Sequence, residues 1–419
     1  MTYPAMSPQE EQCEFLLAAA RLLHENGEET QGTLAAVQRL CAHLGIKATL
    51  IPAWNEIFLQ VEGERVRASA VTPSNINMNR VVTTLEVVEA TCAGRLNTTE
   101  AKAALANAGH APESGLLLFV FACTIGAGAL SVINGASHFA ALSLVMLCAA
   151  VGALVRKGLA AWLSANSFLQ IFAASLLAGG VGAAGVAWHV SSAMRLVALG
   201  PLLVLVPGPA ILGGAFDLAA LRLPLGAARL GFGLLTILAI CTGVLLGLGG
   251  TTLPPTVESR TVPLWADVLC AGIAAAAYGV FFAMPLRMLG YPALMGMLAH
   301  AVRWGMISGL GLSNAAGAGI ACLLVGSVLV PVARRLRLPF AAVGFASVVS
   351  MVPGIFLFRM GGGLMQIQKE AGAAPLPLIG GVLSDAATAL ATVIAMTVGL
   401  VLPIAAYTHF RRKGKNHAV

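Results

Sequence analysis

The tripeptide Val-Pro-Gly occurs twice inside long apolar stretches, at Val206-Pro207-Gly208 and 146 residues later at Val352-Pro353-Gly354. Pro removes an amide donor and Gly loosens what remains, so a helix cannot pass either point unbroken. Hydrocarbon offers no partner for the polar groups such a break frees. Broken backbone is therefore tolerated only where it is buried in protein and lines a cavity. Each tripeptide stands about 90 residues after the start of its own series of apolar segments, at Leu116 and Leu264. The chain repeats itself, and paired helix breaks in matching halves point to a transporter's substrate site.

Composition agrees with a membrane protein. With 58% hydrophobic and 10% charged residues, the chain is too apolar for a soluble enzyme of 419 residues. Charge is unevenly spread. Residues 1–115 hold 8 Lys+Arg against 13 Asp+Glu, whereas residues 116–419 hold 17 against 5. The basic excess lies in clusters between apolar spans, not in a stripe on a soluble face, which excludes a nucleic-acid partner.

Ten apolar spans are expected, at 116–134, 137–155, 166–188, 196–216, 230–250, 264–286, 291–312, 315–333, 340–358 and 376–407. Each is near the roughly 20 residues that cross a bilayer. The expected fold is thus an α-helical polytopic membrane protein in contact with lipid, with a first five-span repeat over 116–255 and a second over 256–419. An odd number of spans per repeat makes the two repeats inverted. With a cytoplasmic N-terminus, the inside loops and basic tail collect Arg156, Lys157, Arg222, Arg229, Arg287, Arg334, Arg335, Arg337, Arg411, Arg412, Lys413 and Lys415. The outside loops collect Arg195, Arg260, Arg359 and Lys369. Both termini are therefore expected in the cytoplasm. The N-terminus lacks the basic patch and short apolar core of a secretory signal.

Residues 1–115 read as a small α+β cytoplasmic domain. Phe15, Leu16, Ala19, Leu22 and Leu23 have helical spacing, and Asn26-Gly27 supplies a stop. Glu28 and Glu29 open a second helix that runs to Leu44 and ends at Gly45. Short β-rich runs follow at Ile46–Ile51, Glu56–Val61 and Arg65–Val71, the last two joined by a turn at Glu62-Gly63-Glu64. A helix over Met78–Ala93 comes next. Asn97 with Glu100 forms the capping pair of one more, ending at Gly109.

The ionisable residues within or beside the spans are few. Asp217 follows the first break by ten residues and reads either as a helix-end partner of Arg222 or Arg229, or as a proton carrier. Asp385 lies inside the last span beside Ser384 and Thr388, where an acid costs roughly 2.5 kcal/mol or more, and is the second proton-coupling candidate. Asp267 begins its span and reads as interfacial. Arg303 and His300 share a helix face mid-span: the guanidinium can grip a carboxylate, and the imidazole titrates near neutrality. The alternative has Arg303 holding helices together through Asp385 or backbone carbonyls. Arg359 reads as a side chain that snorkels outward. The half-helix amides after Gly208 and Gly354 suit a carboxylate and the freed carbonyls an ammonium, so Pro207, Gly208, Pro353 and Gly354 complete the substrate-site set. The alternative is a simple kink at each Pro.

Other features carry less. Eight scattered cysteines without a Cys-x-x-Cys are apolar filler, not a metal or disulfide set. His24, Glu28 and Glu29 read as a solvated helix end. Ser74 and the nearby acids do not define a hydrolase site. Gly126-Ala127-Gly128 and Gly179-Gly180, with Gly182 and Gly185, mean close helix packing.

The string Leu23-His24-Glu25-Asn26-Gly27-Glu28-Glu29-Thr30, ahead of an amphipathic helix that ends at Leu44-Gly45, resembles the start of the threonine/serine exporter family. So do the β-rich run, the helix of Arg80, the Gly94-Arg95-Leu96 stretch and the ten spans. Val206-Pro207-Gly208 followed by Asp217 and Arg229 resembles that family's first membrane half, and Val352-Pro353-Gly354 its second. In some relatives, including a two-component succinate exporter, the two parts are separate chains; here they are fused.

The resemblance implies export of threonine or serine from the cytoplasm across a bacterial inner membrane, driven by the proton motive force. Physics alone gives a secondary carrier of a small polar solute: no Gly-Lys-Ser/Thr loop signals ATP. No enzymatic activity, cofactor or metal is expected. Two alternatives stand beside this reading, export of a dicarboxylate such as succinate and a membrane-embedded sensor or hydrolase. Assembly as a homo-oligomer is left open.

Overall fold

The computed structural model describes residues 7–63, 65–72, 76–136, 138–162, 167–187, 198–249, 262–336, 340–370 and 372–416. Ser74, Arg195, Arg260 and Arg337 lie outside them.

The N-terminal region follows the sequence reading closely. Helix α1 (Pro8–Glu25) starts from a reciprocal Ser7/Glu10 capping box, and Gly27 beyond it adopts φ +94°. Helix α2 (Thr30–Leu44) ends at left-handed Gly45, whose amide bonds the Cys41 carbonyl. It begins two residues later than expected, because Glu29 is held extended and the Glu28 amide still bonds back to Leu23. Strands β1 (Ala48–Pro52), β2 (Glu56–Val61) and β3 (Arg67–Ala70) form one antiparallel sheet in that order. Alternate residues Ile57, Leu59 and Val61 of β2 point into the core. Helices α3 (Met78–Cys92) and α4 (Thr98–Gly109) close it, the latter from the expected Asn97/Glu100 box. Phe15, Leu16, Leu23, Leu40 and Met78 are fully buried between these layers.

The apolar part is built from two similar series. The first runs α5 (Leu116–Ile133), α6 (Phe139–Trp162), α7 (Ser167–Ala187), a 3-10 segment (Gly200–Leu205), α8 (Gly208–Ala219) and α9 (Leu223–Gly247). The second runs α10 (Leu264–Phe281), a 3-10 turn (Leu286–Met288), α11 (Gly290–Trp304) with a π turn (Gly305–Gly309), α12 (Asn314–Leu336), α13 (Phe340–Val348), a 3-10 turn (Val349–Met351), α14 (Gly354–Glu370) and α15 (Leu376–Asn416). Corresponding helices make corresponding contacts. Helix α7 packs on α9 as α12 packs on α15, α8 on α9 as α14 on α15, and α5 meets α10 where the halves join.

Glycine sets the closeness of these packings. A Cβ on Gly243 would lie 2.6 Å from the Phe172 carbonyl oxygen, and one on Gly319 3.0 Å from the Ala395 Cβ, so α7/α9 and α12/α15 are both near backbone contact. Gly126 and Gly182 serve the same purpose against Ala277 and Ala198. The repeat extends to helix ends. After α5 the amides of Asn134, Gly135 and Ala136 bond the carbonyls of Leu130, Val132 and Ser131; after α10 those of Phe282, Ala283 and Met284 bond Tyr278, Val280 and Gly279. The same left-handed turn is made by Gly135 in one half and, at φ +54°, by Ala283 in the other.

Among the described residues seven helices are long and apolar enough to cross a bilayer, or eight if the bent pair Val343–Met351 and Gly354–Glu370 counts as one span. This is a polytopic helical membrane protein. Large apolar side chains such as Leu117 and Trp162, 86% and 90% exposed, cover its flanks. Three expected spans are discontinuous: 196–216 contains the break at Pro207, 340–358 contains the break at Pro353, and 291–312 resolves into the 15-residue α11 and its π turn. Three boundaries move by enough to change the placement of charges. Helix α6 runs to Trp162 and carries Arg156 and Lys157, α9 starts at Leu223 and carries Arg229, and α14 runs to Glu370 and carries Arg359 and Lys369. All five were expected in loops; apolar flanking turns extend each helix past its first charged residue.

Candidate substrate site

The two Val-Pro-Gly segments have one geometry. In each, a 3-10 segment leads into an extended Val (φ −56°, ψ 126° at Val206; φ −56°, ψ 132° at Val352). The Gly amide turns back to the Val carbonyl at 2.7 Å, and a fresh α-helix starts at the Gly. The bend across the second break is 51°. The two breaks also cross each other. A Cβ on Gly208 would stand 2.6 Å from Val349 Cγ2, and a Cβ on Gly354 would stand 2.6 Å from Val206 Cγ2. Glycine is required at both points because each backbone takes the other half's valine directly. In the first half the Tyr278 hydroxyl donates to the Leu203 carbonyl at 2.6 Å, satisfying an acceptor in the 3-10 segment before the break.

A cavity of about 450 Å³ opens beside the first break, between the bundle and the N-terminal region. Val206, Pro207, Pro209 and Ala210 lie on the bundle side, His24, Gly27 and Trp54 on the other, and Phe119, Phe232 and Phe281 supply aromatic wall. Its cations are Arg156, Lys157 and Arg229 and its acids Glu25 and Glu113. Lys157 Nζ donates to Glu113 at 2.7 Å. The Arg156 guanidinium stacks over Phe281 and Phe119, 5.0 and 5.9 Å from their centroids, and its Nε and Nη1 are shut from solvent with no hydrogen-bond partner.

Arg229 belongs to a buried cluster below the cavity. Asp217 accepts from Arg222 at 3.1 Å, lies 3.2 Å from Arg229 Nε, and accepts the Thr30 hydroxyl at 3.1 Å, while Arg229 Nη2 donates to that same Thr30 oxygen at 3.2 Å. Arg222 also bonds Gln31. The start of α2 is thus docked on the end of α8, and His24, Glu28 and Glu29 are not the solvated helix end expected of them. Burial pushes the Glu28 carboxyl up to about 8, with Glu29 adding to the shift. Burial, with Asp217 nearby, raises Glu29 to about 7 against the pull of Arg222 and Arg229. Burial first and Arg229 second lower His24 to about 4, though the Ala53 and Trp54 carbonyls oppose this. The Glu28 carboxyl fits only because residue 32 is Gly, whose missing Cβ leaves its place.

The second break faces different groups. His300, fully buried, lies 3.0 Å from Asp267 through Nδ1 and 2.9 Å from the Ser350 hydroxyl through Nε2, which ties it to the 3-10 turn entering the break. Asp267, expected at the interface, is 3% exposed and packed inside. Arg303 stands in the last turn of α11 instead of mid-span. It donates to Asn314 at 2.7 Å and does not pair with Asp385. Asp385 pairs instead with Arg359 at 3.0 Å, so Arg359 does not simply snorkel outward. Of the residues singled out in the sequence, Pro207 lines the cavity, while Gly208 and Gly354 form the crossing. Arg303, His300, Pro353 and Asp385 do not reach the cavity.

Against known families, a threonine/serine exporter model, ThrE, matches residues 14–249 and a second, Threonine/Serine exporter ThrE_2, matches residues 267–406. The chain belongs to the threonine/serine exporter family. No curated protein and no solved structure matches it. The two matches part between residues 249 and 267, around the start of α10, so the fused form carries one break in each part. Arg156, Phe119 and Phe281 line the cavity without having been singled out in the sequence as site residues. Arg156-Lys157 at the end of an apolar run reads as a loop anchor, and only tertiary packing turns it inward.

Proposed function

We propose that this protein exports small amino acids, threonine or serine, from the cytoplasm across a bacterial inner membrane, using the proton motive force. The observation that supports it most is the reciprocal crossing of two identical helix breaks beside a cavity that holds an unspent cation. In this reading residues 1–115 are a cytoplasmic α+β domain, the halves 116–255 and 256–419 are inverted five-span repeats, and both termini are cytoplasmic. The cavity is the inward-facing substrate chamber, with Pro207 and Gly208 at its inner limit. Because each glycine seats the other half's valine, a tilt of one half moves both breaks together, which is how alternating access is transmitted. Pro353 and Gly354 bound the outward-facing counterpart.

Proton coupling belongs to the second half. A proton on Asp385 frees half-buried Arg359, and a proton on His300, balanced by Asp267, reaches the second break through Ser350. Arg303 lies in electrostatic reach of Asp267 and sets the charge balance there. Asp217 faces two arginines and Thr30 of the N-terminal region, and acts as the clamp that holds this region on the bundle.

The test is efflux from cells loaded with a threonine-containing dipeptide. Wild-type cells release threonine, and the deletion strain and a strain with a collapsed proton gradient release it slowly. Equal release with and without the protein rejects the proposal, and release that ignores the gradient rejects its proton part.

A further inference from the structure

Arg156 presents an unusual balance of charge. The other two cations of the cavity are spent, Lys157 on Glu113 and Arg229 on Asp217 and Thr30. Arg156 has two donors that are shut from solvent and bonded to nothing. The aromatic faces of Phe119 and Phe281 fix its plane but accept none of its N–H groups. A buried cation left so is costly, and a carboxylate that meets its Nη1–Nη2 edge through two parallel bonds offsets part of that cost. The void on its other side, lined by Cys123, Cys148 and Pro201, measures about 20 Å³. That is room for about one water, not for a carboxylate. The main cavity, about 450 Å³, is of ligand size.

We infer that Arg156 seats the carboxylate of the transported solute, and that the site takes a monocarboxylate carrying an ammonium and a small, partly apolar side chain. One unspent guanidinium matches one carboxylate. Of the lining acids, Glu113 is neutralised by Lys157, while Glu25, whose partner Arg21 is not a lining residue, favours an ammonium and repels a second carboxylate. Phe232 and Phe281 leave an apolar wall for a methyl or methylene group. This assignment rests on the export reading above and narrows it against dicarboxylates.

The test is calorimetric titration of the purified full-length protein with L-threonine, L-threoninol, in which CH2OH replaces the carboxylate, and succinate. A charge-assisted pair is worth about 1.5–3 kcal/mol, so wild type should bind threonine about 10- to 100-fold more tightly than threoninol. Arg156→Gln should erase that ratio while binding threoninol as wild type does, and Arg156→Lys should keep part of it. Equal affinity of wild type for threonine and threoninol overturns the assignment without any variant, as does a folded Arg156→Gln protein that keeps the ratio. If succinate binds more tightly than threonine and loses its affinity in Arg156→Gln, the carboxylate seat stands and the amino-acid reading falls. If none of the three binds, both fall.

Discussion

The two helix breaks share a backbone and differ in what surrounds them. The first opens on a chamber roofed by the N-terminal region, with Arg156 inside and Asp217 clamped beneath. The second is packed against a chain of polar groups, Asp267, His300 and Ser350, with Asp385 and Arg359 further along. In the reading proposed above, the two breaks form one symmetric hinge whose halves take separate tasks, solute at one break and proton at the other.

The contrast between the two acids is the sharpest. Asp217→Asn leaves Arg229 buried without its counter-charge, which costs about 3–5 kcal/mol. Thermal stability and membrane abundance should fall together. Arg359 is 32% exposed at its side chain, so Asp385→Asn should cost about 1 kcal/mol or less. Efflux in that variant should slow more than abundance drops. Equal abundance losses in the two variants would erase the distinction between clamp and coupling group.

The crossing itself comes next. Gly208→Ala and Gly354→Ala each overpack the opposite break and should cost about 1–3 kcal/mol with slower efflux. Rescue should be crosswise: Val349→Ala relieves Gly208→Ala, and Val206→Ala relieves Gly354→Ala. Rescue by the wrong partner, or by neither, would break the account of reciprocal contact.

On the proposed division of tasks, a change at His300 should separate coupling from binding. His300→Gln should leave threonine affinity within about threefold, less than one hydrogen bond's worth. It should make efflux insensitive to an imposed proton gradient, read in proteoliposomes. Retained gradient dependence would move the proton to Asp385 alone.

The smallest effect lies at the N-terminal contact. Glu28 and Glu29 are raised to about 8 and about 7, so their contribution to docking is full below the free-carboxylate range near 4.5 and is lost as pH rises to 7 and 8. His24, lowered to about 4, works in the opposite sense: its contribution is full above 6.5 and is lost as pH falls toward 4. Protease release of the N-terminal region should therefore speed up from pH 5 to about 8. Glu28→Gln should flatten that rise. A profile unchanged by Glu28→Gln would remove Glu28 from the contact.

Much of this frame was legible in the chain. The tripeptides, the Asn97/Glu100 box, the three strands and the Gly45 terminator are local signals, fixed by backbone chemistry within a few residues. Side-chain partners were not. By sequence Asp385 was a partner for Arg303 and Arg359 pointed outward, and only the packing of α14 on α15 brings Arg359 to Asp385. His24, Glu28 and Glu29 look wet because nothing local shows that the folded chain buries them. Arg156 looks like a loop residue because helix ends in a bilayer are set by neighbouring protein as much as by hydropathy.

The central claim is that equivalent positions beyond the two breaks face opposite sides of the membrane. Ala210 and Phe356 are such a pair, each two residues after its glycine. The direct measurement is labelling of Ala210→Cys and Phe356→Cys, in a chain freed of its native cysteines, with a membrane-impermeant maleimide in oriented vesicles. Ala210→Cys should react only from the cytoplasmic side and be protected by threonine, and Phe356→Cys only from the outside. Reaction of both from one side would contradict the inverted arrangement and the transport cycle built on it.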